Sequence, residues 1–294
     1  MIEALNAAAL AKRAALPASN SFPIRELLSM PPYYNWVSCD SGLGKFSMFL
    51  GGRDDGVALR FFWNGTYERM TLKTWAWFAK RASIALDIGA HTGAYTLAAK
   101  AANPAISVVS FEPYMMNFAR LNLNLRANGH DTINSYMMAV GAEEGKLPFS
   151  VSTSQDYLTS GGAIGARPNS ATTEVNVVAI DALATDDIRT RIGLVKIDTE
   201  GFESECIKGM RNVITTARPV IFLECIEPKS SAAVQEHLAK EGYRFFEVDD
   251  NAHTIRPVAD LAPSLDNNGK AIYGRLNRIA LPQGDLTAEM IDHT

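Results

Sequence analysis

The sequence predicts a single-core α/β fold, doubly wound around a mostly parallel sheet, with an N-terminal extension over residues 1–80 and a core domain over 81–294. Two observations carry this. From residue 83 onward short apolar strands alternate with helical segments, the rhythm of a parallel sheet covered on both faces. Residues 220–223 are apolar without interruption, as in a strand buried on both sides.

Residues 1–16 are Ala-rich and helix-prone, with Lys12 and Arg13 placed late. A secretory signal would carry its charge before the apolar run, so a packed or fraying amphipathic helix is expected instead. Residues 17–80 are broken by Pro17, Pro23, Pro31 and Pro32 and punctuated by glycines, with strand-like pieces at 46–50 and 57–62. Residues 70–81 read as a helix that buries Trp75 and Phe78. In the core domain, strands are expected at 83–88, 107–111, 133–140, 174–180, 194–197, 219–225, 243–248 and 275–280. Residues 146–151 read as a hairpin strand after the Glu144-Gly145 turn. Helices are expected at 95–102, 114–128, 204–215 and 231–241. Residues 152–173, rich in Ser, Thr and Gly, show no period and read as a lid.

Composition narrows the function. The chain has 294 residues, 47% of them hydrophobic, enough for a substantial core, and a formal net charge of −4. With a pI near 5.8 and no Lys/Arg clusters, its field repels polyanions, so no nucleic-acid partner is expected. No stretch approaches the ~18 apolar residues of a membrane span. The three cysteines, Cys39, Cys206 and Cys225, are sparse and lack metal-binding spacing, which points to a reducing, cytoplasmic setting.

The first core strand runs into Asp87-Ile88-Gly89-Ala90-His91-Thr92-Gly93. Gly89 and Gly93 permit a sharp turn close to a ligand, and the following helix start offers unpaired N–H groups. Glu112 closes the next strand, where an acid accepts from ribose hydroxyls in nucleotide-binding α/β folds. A dinucleotide site would require G-x-G-x-x-G for its pyrophosphate. The loop here is D-x-G-x-x-x-G, and Asp87 would repel a phosphate. S-adenosylmethionine, with an ammonium group and no phosphate, suits it better than NAD.

Further residues extend the pattern: Gly65-Thr66-Tyr67-Glu68, Phe111-Glu112-Pro113, Asn124, Ala139-Val140-Gly141, Asp181, Lys196-Ile197-Asp198-Thr199-Glu200-Gly201-Phe202-Glu203, and Leu223-Glu224. Together they resemble the FkbM-type methyltransferases from about residue 65 to 225, the K-x-D-x-E-G-x-E segment being the most diagnostic. His91 stands where that family more usually carries Asn. The resemblance implies a Rossmann-like class I methyltransferase fold with a seven-stranded sheet, O-methylation of a sugar, glycan or natural product, and S-adenosylmethionine as cofactor. It implies cofactor contacts from Glu68, Asp87, Gly89, Ala90, His91, Gly93, Glu112, Pro113 and Asn124.

The second strand tip has its own logic. Lys196 and Asp198 share one face of their strand, and Asp198 lies at the carboxyl end, where open α/β sheets bind ligands. Glu200 and Glu203 flank Gly201, and crowding of carboxylates raises at least one pKa. Asp198 is the first candidate for the base or orienter of an acceptor hydroxyl, His91 the second. Asp181, Glu200 and Glu224 are candidate acceptor contacts, with Asp181 and Glu224 alternatively caps. Glu203 equally suits charging a helix N-terminus. A carboxylate cluster also admits Mg²⁺, a minority reading because no histidine or further acid stands at ligand spacing. Three other functions compete: an RNA 2′-O-methyltransferase, which the acidic pI disfavours; an NAD-dependent dehydrogenase, which lacks its glycines; and a catalytically inactive binding protein that kept the fold.

Overall fold

The computed structural model describes residues 1–17, 21–152, 158 and 161–282. Its centre is an eight-stranded mixed sheet. In spatial order the strands are Thr254–Val258, Arg244–Asp249, Asn277–Leu281, Val220–Glu224, Ile192–Ile197, Ile84–Ile88, Ser107–Phe111 and Ser135–Tyr136. The last five run parallel to one another. Asn277–Leu281 lies antiparallel between Val220–Glu224 and Arg244–Asp249, so the chain closes the sheet by inserting its last described strand. The expectation of seven strands is therefore corrected to eight. The additional one, Thr254–Val258, turns back on Arg244–Asp249 as a hairpin. It carries Pro257 and is largely exposed, as suits an edge.

Both faces of the sheet are buried. On one, Ile88, Val195 and Leu223 pack with Ile207, Met210 and Leu238. On the other, Leu97, Phe222 and Ile279 share a cluster with Leu50, Phe61 and Trp75 from the first eighty residues. Within those residues, Tyr33–Asp40 and Lys45–Gly52 form an antiparallel pair. Asn124 and Asn128, on the helix Met115–Ala127 and at its C-cap, dock that pair through their side-chain oxygens: Phe49 N–H donates to Asn124 Oδ1 at 2.9 Å and Ser47 N–H to Asn128 Oδ1 at 2.8 Å.

Four local expectations change. Residues 57–62 are helical, inside Gly56–Asn64; Asp55 caps the helix by accepting from Val57 N and Ala58 N. Residues 133–140 split between two sheets: Ser135–Tyr136 ends the main sheet, and Ala139–Val140 enters a four-stranded one with Ser170–Val178, Gly145–Ser152 and Ala163–Ile164. Gly145–Ser152 pairs with Ser170–Val178 over eight residue pairs, a hairpin closed much later than the Glu144-Gly145 turn suggests. Residues 152, 163, 164 and 170–173 of the expected lid are therefore strand, while residues 153–157, 159 and 160 lie outside the described residues. Finally, 204–215 is two helices, Glu203–Lys208 and Arg211–Thr216. The chain breaks at Gly209, where a Cβ would stand 1.9 Å from Gly141 O; this backbone crossing admits only glycine.

Asn124 is fully buried, and its Nδ2 donates to Thr92 O at 2.8 Å. It thus joins the strand at Phe49 to the loop after Ile84–Ile88. Asn124→Leu leaves Phe49 N–H and Thr92 C=O without this partner, and denaturant unfolding is expected to show a loss of about 1–3 kcal/mol.

Candidate functional site

The site forms where the strand order reverses, between Ile84–Ile88 and Ile192–Ile197, the place open α/β sheets reserve for ligands. The two strand tips are tied by Asp198 N–H donating to Ile88 O at 2.9 Å. A Cβ on Gly89 would lie 1.8 Å from Asp198 O, so only glycine permits this approach. Glu112 braces the loop from the next strand. Its carboxylate accepts from His91 N at 2.9 Å and Tyr114 N at 2.8 Å. Burial raises its pKa to about 7 against the pull of those bonds. His91 sits at φ 49, a left-handed conformation that Asn and His tolerate better than most residues. That shared tolerance accounts for His91 in a place the resembling sequences give to Asn.

Lys196 is 1% exposed. Its Nζ donates to Asp198 Oδ2 at 3.0 Å and Asn277 Oδ1 at 3.3 Å, and lies 5.0 Å from the Tyr95 ring centroid. Burial alone would lower its pKa, but Asp198, Glu68 and Glu224 together raise it, and the ammonium stays charged. Burial works against ionisation of Asp198 as well; Lys196 and a hydrogen bond from Glu224 nevertheless hold it below the usual carboxylate range. Glu224 is pushed well up by burial and by the neighbouring Asp198 charge, so the pair shares one proton, kept on Glu224. Burial and Asp198 also raise Glu200 to about 8. Glu200 holds φ 55, uncommon for a long side chain, and its carbonyl accepts from Arg167 Nη2 at 3.2 Å. Crowding thus shifts the three acids apart: Asp198 is lowered and Glu200 and Glu224 are raised.

Residues from the first eighty help complete the walls. Glu68 precedes the helix Arg69–Ala79, accepts from Tyr95 Oη in a very short bond, and is raised by burial to about 6 despite Lys196. The resulting cavity holds about 300 Å³, within the size of small-molecule sites. Eight of the expected residues line it: Glu68, Gly89, His91, Glu112, Pro113, Asp198, Glu200 and Glu224.

The other five stand elsewhere. Asp87 is 1% exposed and spent on Thr96, accepting from its N at 2.9 Å and its Oγ1 at 2.6 Å, so it orders the helix Ala94–Ala102 from behind the cavity. Ala90 is buried with its N–H on Phe111 O. Gly93 starts that helix at φ 96, where a Cβ would meet Leu121. Asn124 acts on the loop through Thr92, as above. Asp181 caps Arg211–Thr216 by accepting from Asn212 N and Val213 N, which corrects its assignment as an acceptor contact. Glu203 binds the 199–201 turn through Gly201 N and Thr199, and accepts from Ser230 Oγ. Its role is to shape that turn.

Sequence reasoning missed Arg60, Phe149, Ile164 and Tyr273, all cavity walls. None belongs to a recognisable motif, and each arrives from a segment far along the chain. Among the described residues no group of three or more His, Cys, Asp or Glu is arranged to hold a metal ion, and no helix is long and apolar enough to cross a membrane.

The family model "Methyltransferase FkbM domain" matches residues 87–245. No curated protein matches the chain in sequence. Among solved structures, a methyltransferase FkbM from Methylobacillus flagellatus KT is 11% identical, with TM-score 0.43, over 88% of this chain and 57% of its own. This chain therefore spans little more than half the length of that protein. A precorrin-6y C5,15-methyltransferase from Geobacter metallireducens GS-15 is 12% identical, with TM-score 0.39, over 74% of this chain and 88% of its own.

The carboxyl shifts set a pH dependence of stability. Glu200 near 8 and Glu112 near 7 bind protons more tightly folded than unfolded. Their contribution is complete below the ordinary glutamate pKa and is lost as pH rises through those values. Thermal melts of Glu200→Gln are expected to fall less between pH 5 and 8.5 than those of the parent protein. Identical slopes would contradict the raised Glu200.

Proposed function

The chain belongs to the FkbM methyltransferase domain family, and on that premise we propose that it transfers a methyl group from S-adenosylmethionine to a hydroxyl of a small-molecule or glycan acceptor. The observation that carries this reading is the acid-lined cavity at the switch point, closed by Gly89 against Asp198. The cofactor has a cationic sulfonium and ammonium and a ribose diol, and this lining of carboxylates suits all three. An NAD pyrophosphate would meet the ionised Asp198 with repulsion. Three buried, unbridged cysteines fit a reducing compartment such as the cytoplasm.

Residue roles follow from charge state. Glu112, pinned by His91 N and Tyr114 N, faces the ribose. Asp198 is ionised by Lys196 and therefore a weak proton acceptor; it orients the acceptor hydroxyl or the cofactor ammonium. His91 flanks it on the cavity wall. Glu200, raised to about 8, has the pKa a general base needs near neutral pH. When bound, the cofactor supplies an activated methyl group. Glu200 would take the proton of the acceptor hydroxyl that receives this methyl group, the spent cofactor being a neutral thioether. Aligning donor and acceptor in this cavity is worth several kcal/mol, about 7–11 in favourable cases.

Calorimetric titration with S-adenosylmethionine is expected to give micromolar binding, with none for NAD. Glu112→Gln, which can present only one accepting oxygen to two N–H groups, should weaken that binding about fivefold to a hundredfold. Asp198→Asn should cut turnover more than affinity; equal losses in both variants would refute the division of roles. With an acceptor in hand, the rate should rise with pH to a plateau above about pH 8, and Glu200→Gln should remove that rise.

A further inference from the structure

Arg60 is the only lysine or arginine among the described residues that line the cavity, whose other charged walls are Glu68, Glu112, Asp198, Glu200 and Glu224. Lys196 lies behind that wall, committed to Asp198 and Asn277. Arg60 is held in place twice over. Its Nη1 donates to Gly56 O, one helical turn back, at 2.9 Å. Its guanidinium lies 5.0 Å from the Tyr273 ring centroid and 6.0 Å from that of Tyr67. Gly56 makes room for it: a Cβ there would approach Nη1 to 3.3 Å. Among the described residues Arg60 forms no ion pair, although five acids share its cavity. Two ring contacts and one carbonyl hold the guanidinium, and its remaining N–H donors suit a carboxylate or phosphate.

We propose that Arg60, held beside the rings of Tyr67 and Tyr273, is the receptor for an anionic group, a carboxylate or a phosphate, on a ligand of this cavity. The inference rests on the methyltransferase reading and sharpens it. An anion entering this space meets the ionised Asp198 with repulsion and finds its one lysine or arginine among the described lining residues in Arg60, so the position of Arg60 sets the orientation of the ligand. Two molecules carry such an anion: the cofactor, through its amino-acid carboxylate, and an acidic acceptor, which would then present its hydroxyl to Glu200.

The test compares wild type, Arg60→Gln and Arg60→Lys by calorimetry. The probes are S-adenosylhomocysteine, 5′-methylthioadenosine (the same thioether nucleoside without the amino-acid end), and inorganic phosphate titrated into free and S-adenosylhomocysteine-saturated protein. If the anion is the cofactor's, Arg60→Gln weakens S-adenosylhomocysteine about tenfold to a hundredfold and leaves 5′-methylthioadenosine unchanged. If it is the acceptor's, both nucleosides bind as before, and phosphate binds the saturated wild type but not saturated Arg60→Gln. Arg60→Lys recovers part of either effect, which separates lost charge from lost fold. Arg60→Gln binding all three probes as wild type does overturns the proposal. Failure of wild type to bind either nucleoside overturns the cofactor reading instead; phosphate binding to the free protein then decides the anion site, supporting it if lost in Arg60→Gln and refuting it if absent or unchanged.

Discussion

One of two buried cations, Lys196, organises the site of this molecule. Lys196 stands at the carboxyl end of a central strand with 1% of its surface exposed, where an unpaired ammonium would cost several kcal/mol. Its compensation comes from every direction: Asp198 on its own strand, Asn277 on the last described strand, the Tyr95 ring on the first core helix, and Glu68 from the N-terminal segment. Each of those elements must be in place for the charge to be tolerated. Burying one charge therefore ties the strand tips, the closing strand and the N-terminal wall to a single arrangement, and that arrangement is the cavity.

The same economy appears at the rim. Asp250 accepts from Met70 N, Thr71 N and Thr71 Oγ1, capping the helix that begins just after Glu68 from 180 residues away in sequence. Its own N–H donates to Gly274 O, and the neighbouring Asn251 Nδ2 donates to Tyr273 O. One turn thus holds both walls that flank Arg60. Helix capping is usually local; here the long-range form fixes where an early and a late segment meet over the ligand space.

Among the carboxylates, residue type and spacing indicate crowding, while the tertiary fold assigns the protons. Asp198, Glu200 and Glu224 lie in one cavity, yet only Asp198 has Lys196 beside it. The lowered pKa goes to the acid nearest the cation, and the raised ones to the other two. In the proposed reaction Asp198 therefore suits orientation, one of the two roles its strand-tip position allows, and Glu200 suits proton transfer.

The sequence by itself determined the α/β class, the Gly89 loop and the strand-tip acids, because each depends on local turn chemistry or on the period of one strand; it marked Glu112 as a ribose acceptor, and only the tertiary structure showed it bracing His91 from 21 residues away. It also determined that Asp87, Gly93 and Asn124 matter, but not how: they act from behind the loop, and which side of a loop a residue serves depends on partners such as Thr96, Leu121 and Phe49. Only the tertiary structure decided the antiparallel insertion of Asn277–Leu281, the second sheet, and the walls supplied by Arg60, Phe149 and Tyr273. Those features are pairings between distant segments, chosen by burial and by compensation of one buried charge, and neither leaves a local pattern in the chain.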